Sequence, residues 1–171
     1  MKPFAAVVLL AAVLIGCGGD DSADDSADGS TSAVRVADIG PAIEAVQAEL
    51  GAGQQFFEVN ATAQLVNLFV AVDDATSAVP YIFFDGELQP PAPALAVESG
   101  FTFSADAVAF DADTVLADVA DELPDSSIEG FAIEGGDGGI VRYLVSTRSP
   151  QGGVLAVTVA PDGAILEVDP L

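Results

Sequence analysis

Asp85-Gly86 and Asp162-Gly163 stand at corresponding points of two segments that share one pattern, a short amphipathic helix followed by three strand-like runs. In the first segment Ile39, Ile43, Val46 and Leu50 recur at spacings of three and four, with Asp38 placed as N-cap and Gly51 as stop. Strand-like runs follow at Gln55–Asn60, Leu65–Asp73 and Val79–Asp85. In the second segment Val115, Leu116, Val119 and Leu123 form the helical stripe, with Asp113 as cap and Pro124 as end. The runs Ser127–Glu134, Gly139–Thr147 and Gly153–Ala160 come after it, and Ala164–Val168 closes the chain as a further strand. Both Asp-Gly pairs favour tight hairpins.

The two halves align with small slips at the turns. Phe57-Glu58-Val59 lies over Phe131-Ala132-Ile133 at an offset of 74, Val66–Val72 over Val141–Thr147 at 75, and Asp85-Gly86 over Asp162-Gly163 at 77. So small a drift suggests a duplication, with chance agreement of two αβββ patterns as the competing explanation. The layout resembles the αβββ units of PepSY-type domains and of tandem folds such as the β-lactamase inhibitor protein. It is also similar to small lipoproteins of actinobacteria. The resemblance covers roughly Asp38 to Val168 as a pattern and implies a non-catalytic role, often the binding or inhibition of another protein. The expected fold is α+β: two tandem αβββ units forming an antiparallel sheet with two short helices on one face. Repeat one spans about 38–88, a connecting segment 89–110, and repeat two about 111–169, all within a single domain at 34–171.

Ahead of that domain the chain changes character twice. Phe4 to Ile15 is an apolar run of 12 residues behind a single charge, Lys2. It is well short of the roughly 20 residues that cross a bilayer as a helix. A positive start, a short apolar stretch and a small residue are the parts of a secretory signal, here 1–16. Leu14-Ile15-Gly16-Cys17 resembles the lipobox of bacterial lipoproteins. That resemblance implies cleavage between Gly16 and Cys17 and a diacylglycerol on the Cys17 sulfur, the only cysteine in the chain. Two or three acyl chains, at about 0.8 kcal/mol per buried methylene, anchor a soluble domain to the bilayer almost permanently. The expected location is the extracytoplasmic face of a cell membrane.

Residues 17–33 are expected to be a disordered tether. Gly18 to Ser32 carries five aspartates and a doubled Asp-Asp-Ser-Ala unit. With no apolar residue larger than alanine it cannot offset its ordering entropy. Its aspartates lack the alternating ligands, fixed glycine and terminal glutamate of a calcium loop, and no metal or cofactor is assigned. Cleavage removes Lys2, leaving three arginines against 27 carboxylates, a net charge of −24. Nucleic acid and anionic headgroups would repel such a chain, whereas a basic protein would be attracted.

Histidine is absent and the one cysteine is committed to lipid, so Ser-His-Asp triads, cysteine nucleophiles and His/Cys zinc sites are excluded. The carboxylate pairs Asp73-Asp74 and Asp111/Asp113 read as turn and cap residues, and Gly135 to Gly139 reads as a hairpin turn. No catalytic residue is assigned and an enzyme is not expected. Two features remain. Arg142 and Arg148, six apart on one strand, share a face; they either pair with neighbouring carboxylates or serve as partner contacts. The phenylalanine doublets Phe56-Phe57 and Phe83-Phe84 put aromatics on both sides of the sheet. The segment Glu87–Phe110 is expected to fold over the outer aromatics. The alternative is an apolar groove for a lipid or peptide, which would make the protein a carrier or sensor of an apolar ligand.

Overall fold

Strands in which every second residue is apolar must bury one face, and register decides whether neighbouring strands bury the same one. The computed structural model describes residues 33–97 and 100–171. The expected signal, the expected Gly16–Cys17 cleavage site and all but the last residue of the expected tether lie outside the described residues. Ten strands occur among the described residues: β1 (Gln55–Ala61), β2 (Val66–Val72), β3 (Ser77–Phe84), β4 (Glu87–Leu88), β5 (Leu95–Ala96), β6 (Phe103–Ser104), β7 (Ser127–Gly135), β8 (Val141–Arg148), β9 (Val154–Val159) and β10 (Ile165–Pro170). They form one antiparallel sheet in the order β10-β9-β8-β7-β1-β2-β3-β4, with β5 also paired to β3 and β6 to β1. Each half of the chain is thus a meander, and the two meanders meet where β1 lies antiparallel to β7.

The register carries a single row of apolar side chains across the whole sheet. Tyr81, Leu68, Val59, Ile133, Tyr143 and Val159 follow one another by direct pairing from β3 to β9, and all six are buried. A second row runs parallel to it through Phe83, Val66, Ala61, Phe131, Val145 and Val157. One face of the sheet is therefore the floor of the core. Over it lie α1 (Ile39–Leu50), which contributes Ile39, Ala42, Ile43 and Val46, and Val115 and Val119 in and just before α2 (Ala117–Glu122). The fold is α+β with the sheet dominant.

The connecting segment does not cover the outer face. Residues 87–97 run along the free edge of β3, pairing through Phe84↔Glu87, Phe83↔Leu88, Ala78↔Leu95 and Ser77↔Ala96. Backbone bonds from Gln89 to Ile82, from Ala92 to Pro80 and from Val97 to Thr76 join these pairs. Extended chain rich in proline suits a sheet edge, where a missing N–H is not needed. Beyond residue 100 the segment turns inward instead: Phe103 is buried against Phe56 on the core side, and Phe110 packs on Phe131 and Tyr143. Ile82 and Phe84 stay 39% and 50% exposed on the opposite side.

Two helix starts differ from expectation. Asp38 does not cap α1: it belongs to a 3-10 turn, Val36–Asp38, and its carboxylate takes the Arg35 Nε–H. An ion pair three residues away outcompetes the cap, and Pro41 in the first turn removes one N–H that a cap would have served. Asp113 does not cap α2 either: Leu116 stands at its N-cap with no side-chain capping bond, and the Asp113 N–H is taken by Asp111 Oδ1 at 2.9 Å in a local turn. A turn precedes the helix there, and α2 itself has only six residues. The expected stop holds at Gly51, with φ +92° and its N–H on the Gln47 carbonyl. Asp85-Gly86 makes the expected two-residue hairpin, both residues at positive φ. At Asp162-Gly163 the loop is longer, closed by Ala160 N–H to Ala164 O.

Candidate functional site

On β8 the residues that alternate with the buried ones point away from the core, from the other side of the sheet. Along β8 these are Arg142, Leu144, Ser146 and Arg148, with the two arginine side chains 54% and 48% exposed. The structure brings both to one face, as their even spacing requires, and each meets a glutamate of β7. Glu134, directly opposite Arg142 in the ladder, accepts from its Nη2 at 2.9 Å. Arg148 grips Glu129 at two points, Nε on Oε1 and Nη2 on Oε2, the second at 3.0 Å. The β7 register shifts between Ile128 and Gly130, and Glu129 is the extra residue of that bulge. Hydrogen bonding to Glu129, and then its charge, raises the Arg148 pKa above its ordinary value. Arg35 is paired with Asp38. All three arginines among the described residues are thus engaged by carboxylates of their own chain.

Between the two β7–β8 ion pairs lies a shallow groove of about 370 Å³ over β1, β7 and β8. Small residues line it, among them Gly130, Ala132, Ser146 and Ala156, and Glu58, Glu129 and Glu134 flank it. Glu58 is held by Asn60, whose Oδ1 in turn accepts from Asn67 at 2.8 Å. The floor is therefore apolar or weakly polar and the border acidic.

The sequence-level carboxylate pairs sit elsewhere. Asp73 and Asp74 occupy a turn at φ +52° and +55°, where the Asp73 carbonyl accepts from both the backbone and the hydroxyl of Thr76. Asp111 and Asp113 form the turn before α2. Each pair has a local structural task.

Sequence reasoning missed a second groove, of about 590 Å³, between α2 and β10. Asp118, Asp121, Glu122 and Leu123 line one side, Ala164, Ile165 and Val168 the other. The two sides come from well-separated segments, and only the alternation Leu166-Glu167-Val168-Asp169 on a terminal strand hinted at it. Leu166 and Val168 are 66% and 46% exposed. No helix among the described residues is long and apolar enough to cross a membrane. Comparison with known proteins returns no matching family model, no matching curated protein and no matching solved structure.

Proposed function

We propose that this chain is a lipid-anchored, acidic binding module that holds a basic protein partner at the extracytoplasmic face of a cell membrane and catalyses no reaction. The observation that carries this reading is the pairing of Arg35, Arg142 and Arg148 with Asp38, Glu134 and Glu129. With its cations occupied internally, the domain offers a partner carboxylates in large excess. Electrostatic complementarity of this kind speeds encounter and selects partners of opposite sign. Arg142 and Arg148 then act by shaping the sheet face, not as free hooks for an acidic group. Cys17 supplies the anchor in this reading and residues 18–33 the standoff from the bilayer.

The same reading takes the two meanders as tandem units. Val59 and Ile133, equivalent at the offset of 74, face each other where the meanders join. Their next partners outward, Leu68 and Tyr143, are equivalent at 75. Pairing of equivalents about a central point is what a duplicated unit joined by a local two-fold produces.

A carrier of apolar molecules would need room between sheet and helices. Phe56, Phe103, Phe131, Ile39, Leu68 and Ile133 fill that space and are each fully buried. Mass spectrometry of the protein purified from its host membrane tests the choice. The expected result is the acylated polypeptide alone; an apolar molecule copurifying at near-stoichiometric amounts contradicts the binding-module reading.

A further inference from the structure

The edge of the sheet at β10 and the groove beside it form a second feature that asks for an occupant. β10 is the last strand in the order and pairs only with β9, so one side of its backbone faces outward among the described residues. An edge of this kind accepts an extended segment as an added strand. In the first half the corresponding place is closed, because the twelve-residue α1 packs against β4 at that edge. In the second half α2 has six residues and leaves the groove of about 590 Å³ open.

We propose that this groove binds a lysine- or arginine-rich extended segment of a partner protein, which adds to β10 as a further antiparallel or parallel strand. This rests on the reading of the chain as a binder of basic proteins and names where and how it binds. Leu123, Ile165 and Val168 give the groove an apolar floor, and Asp118, Asp121 and Glu122 give it an acidic border. No cation lines it. A long basic side chain fits both parts at once, its aliphatic stem along the floor and its charged head at the border. Residues of the added strand that alternate to the other face come beside Glu167 and Asp169, which lie opposite Thr158 and Ala156 in the β9 ladder, and a cation is favoured there too. A second copy of this chain is disfavoured as occupant, since its own β10 would set Glu167 and Asp169 against the same carboxylates.

The test uses the full chain, purified in detergent, and a fluorescent peptide alternating lysine and valine. Binding is read by anisotropy, with the perturbed backbone amides located by NMR. The groove variant Asp118→Asn/Asp121→Asn/Glu122→Gln is compared with Glu44→Gln/Glu49→Gln/Glu87→Gln, an equal charge change on exposed positions away from the groove. The proposal expects Kd to rise about tenfold or more in the groove variant and about twofold or less in the control. A peptide with proline at two adjacent central positions, one of which must face β10 in any register, cannot complete the ladder and should bind roughly fivefold more weakly. Perturbed amides should cluster on β10. If both variants weaken binding equally, or the proline peptide binds as well, attraction is general: the groove assignment falls and the basic-partner reading stands. If the peptide does not bind at all, both fall. Sedimentation showing a dimer that Val168→Lys dissociates would hand the groove to a second copy and overturn the proposal.

Discussion

The Tyr143 hydroxyl both accepts from the amide of Ala109 and donates to its carbonyl, each at 3.0 Å. Tyr143 is buried on β8, stacked at 14° on Phe131 with ring centres 6.0 Å apart, and Phe110 closes the cluster. One side chain thereby pins the inward end of the connecting segment to the second meander. Replacing Tyr143 by Phe leaves the packing and orphans two backbone groups of a part-buried segment. The expected cost is about 1–3 kcal/mol in denaturant unfolding, with faster hydrogen exchange over residues 105–110. Unchanged exchange there would show that the aromatic packing alone holds the segment.

Thr147 is fully buried on the core face of β8, and its hydroxyl has no hydrogen-bond partner among the described residues. Thr147→Val keeps the shape and removes an unsatisfied polar group, and should stabilise the domain by about 1 kcal/mol. A loss of stability in thermal and denaturant unfolding would mean that the hydroxyl is satisfied in solution.

Gly163 combines a φ of +96° with a close approach: a Cβ there would lie 2.7 Å from the Thr114 carbonyl oxygen. Gly86 has a φ of +80° with open space around it. Gly86→Ala should therefore cost about 1 kcal/mol, the backbone term alone, and Gly163→Ala clearly more, about 2 kcal/mol or above. Equal losses in the two variants would mean that the loop before β10 moves freely away from the turn before α2.

Much of the strand layout was legible because alternation and Asp-Gly turns act locally. The apolar stripes of β2, β7, β8 and β9 and the hairpin at Asp85-Gly86 each follow from a few adjacent residues. What was not legible depends on contacts distant in sequence. The path of residues 87–97 is fixed by the free edge of β3 and that of residues 105–110 by Tyr143, neither of which local composition reveals. Asp38 lost its capping role to Arg35, through an ion pair three residues away, and Asp113 lost its own because the chain makes a turn before α2 and the helix starts only at Ala117. The even spacing of Arg142 and Arg148 placed them on one face, but the bulge that delivers Glu129 to Arg148 has no sequence signature. The groove between α2 and β10 exists because α2 is short, and the stripe from Val115 to Leu123 suggested a longer helix.

The anchor is tested independently of the fold. Cys17→Ala should abolish incorporation of labelled acyl chains and move the protein from the membrane to the soluble fraction of the host. A variant still labelled and membrane-bound would remove the anchor from the account.

The most direct test of the central claim is the association rate of the domain with the protein that cross-links to it at the membrane, measured between low and high salt. Interactions between exposed charges are screened over about 10 Å at 0.1 M ionic strength. With the arginines internally paired and the surface strongly acidic, the partner should be basic and the rate should fall by roughly tenfold or more as salt rises, with a much smaller change in dissociation. An acidic partner, or a rate indifferent to salt, would contradict the account.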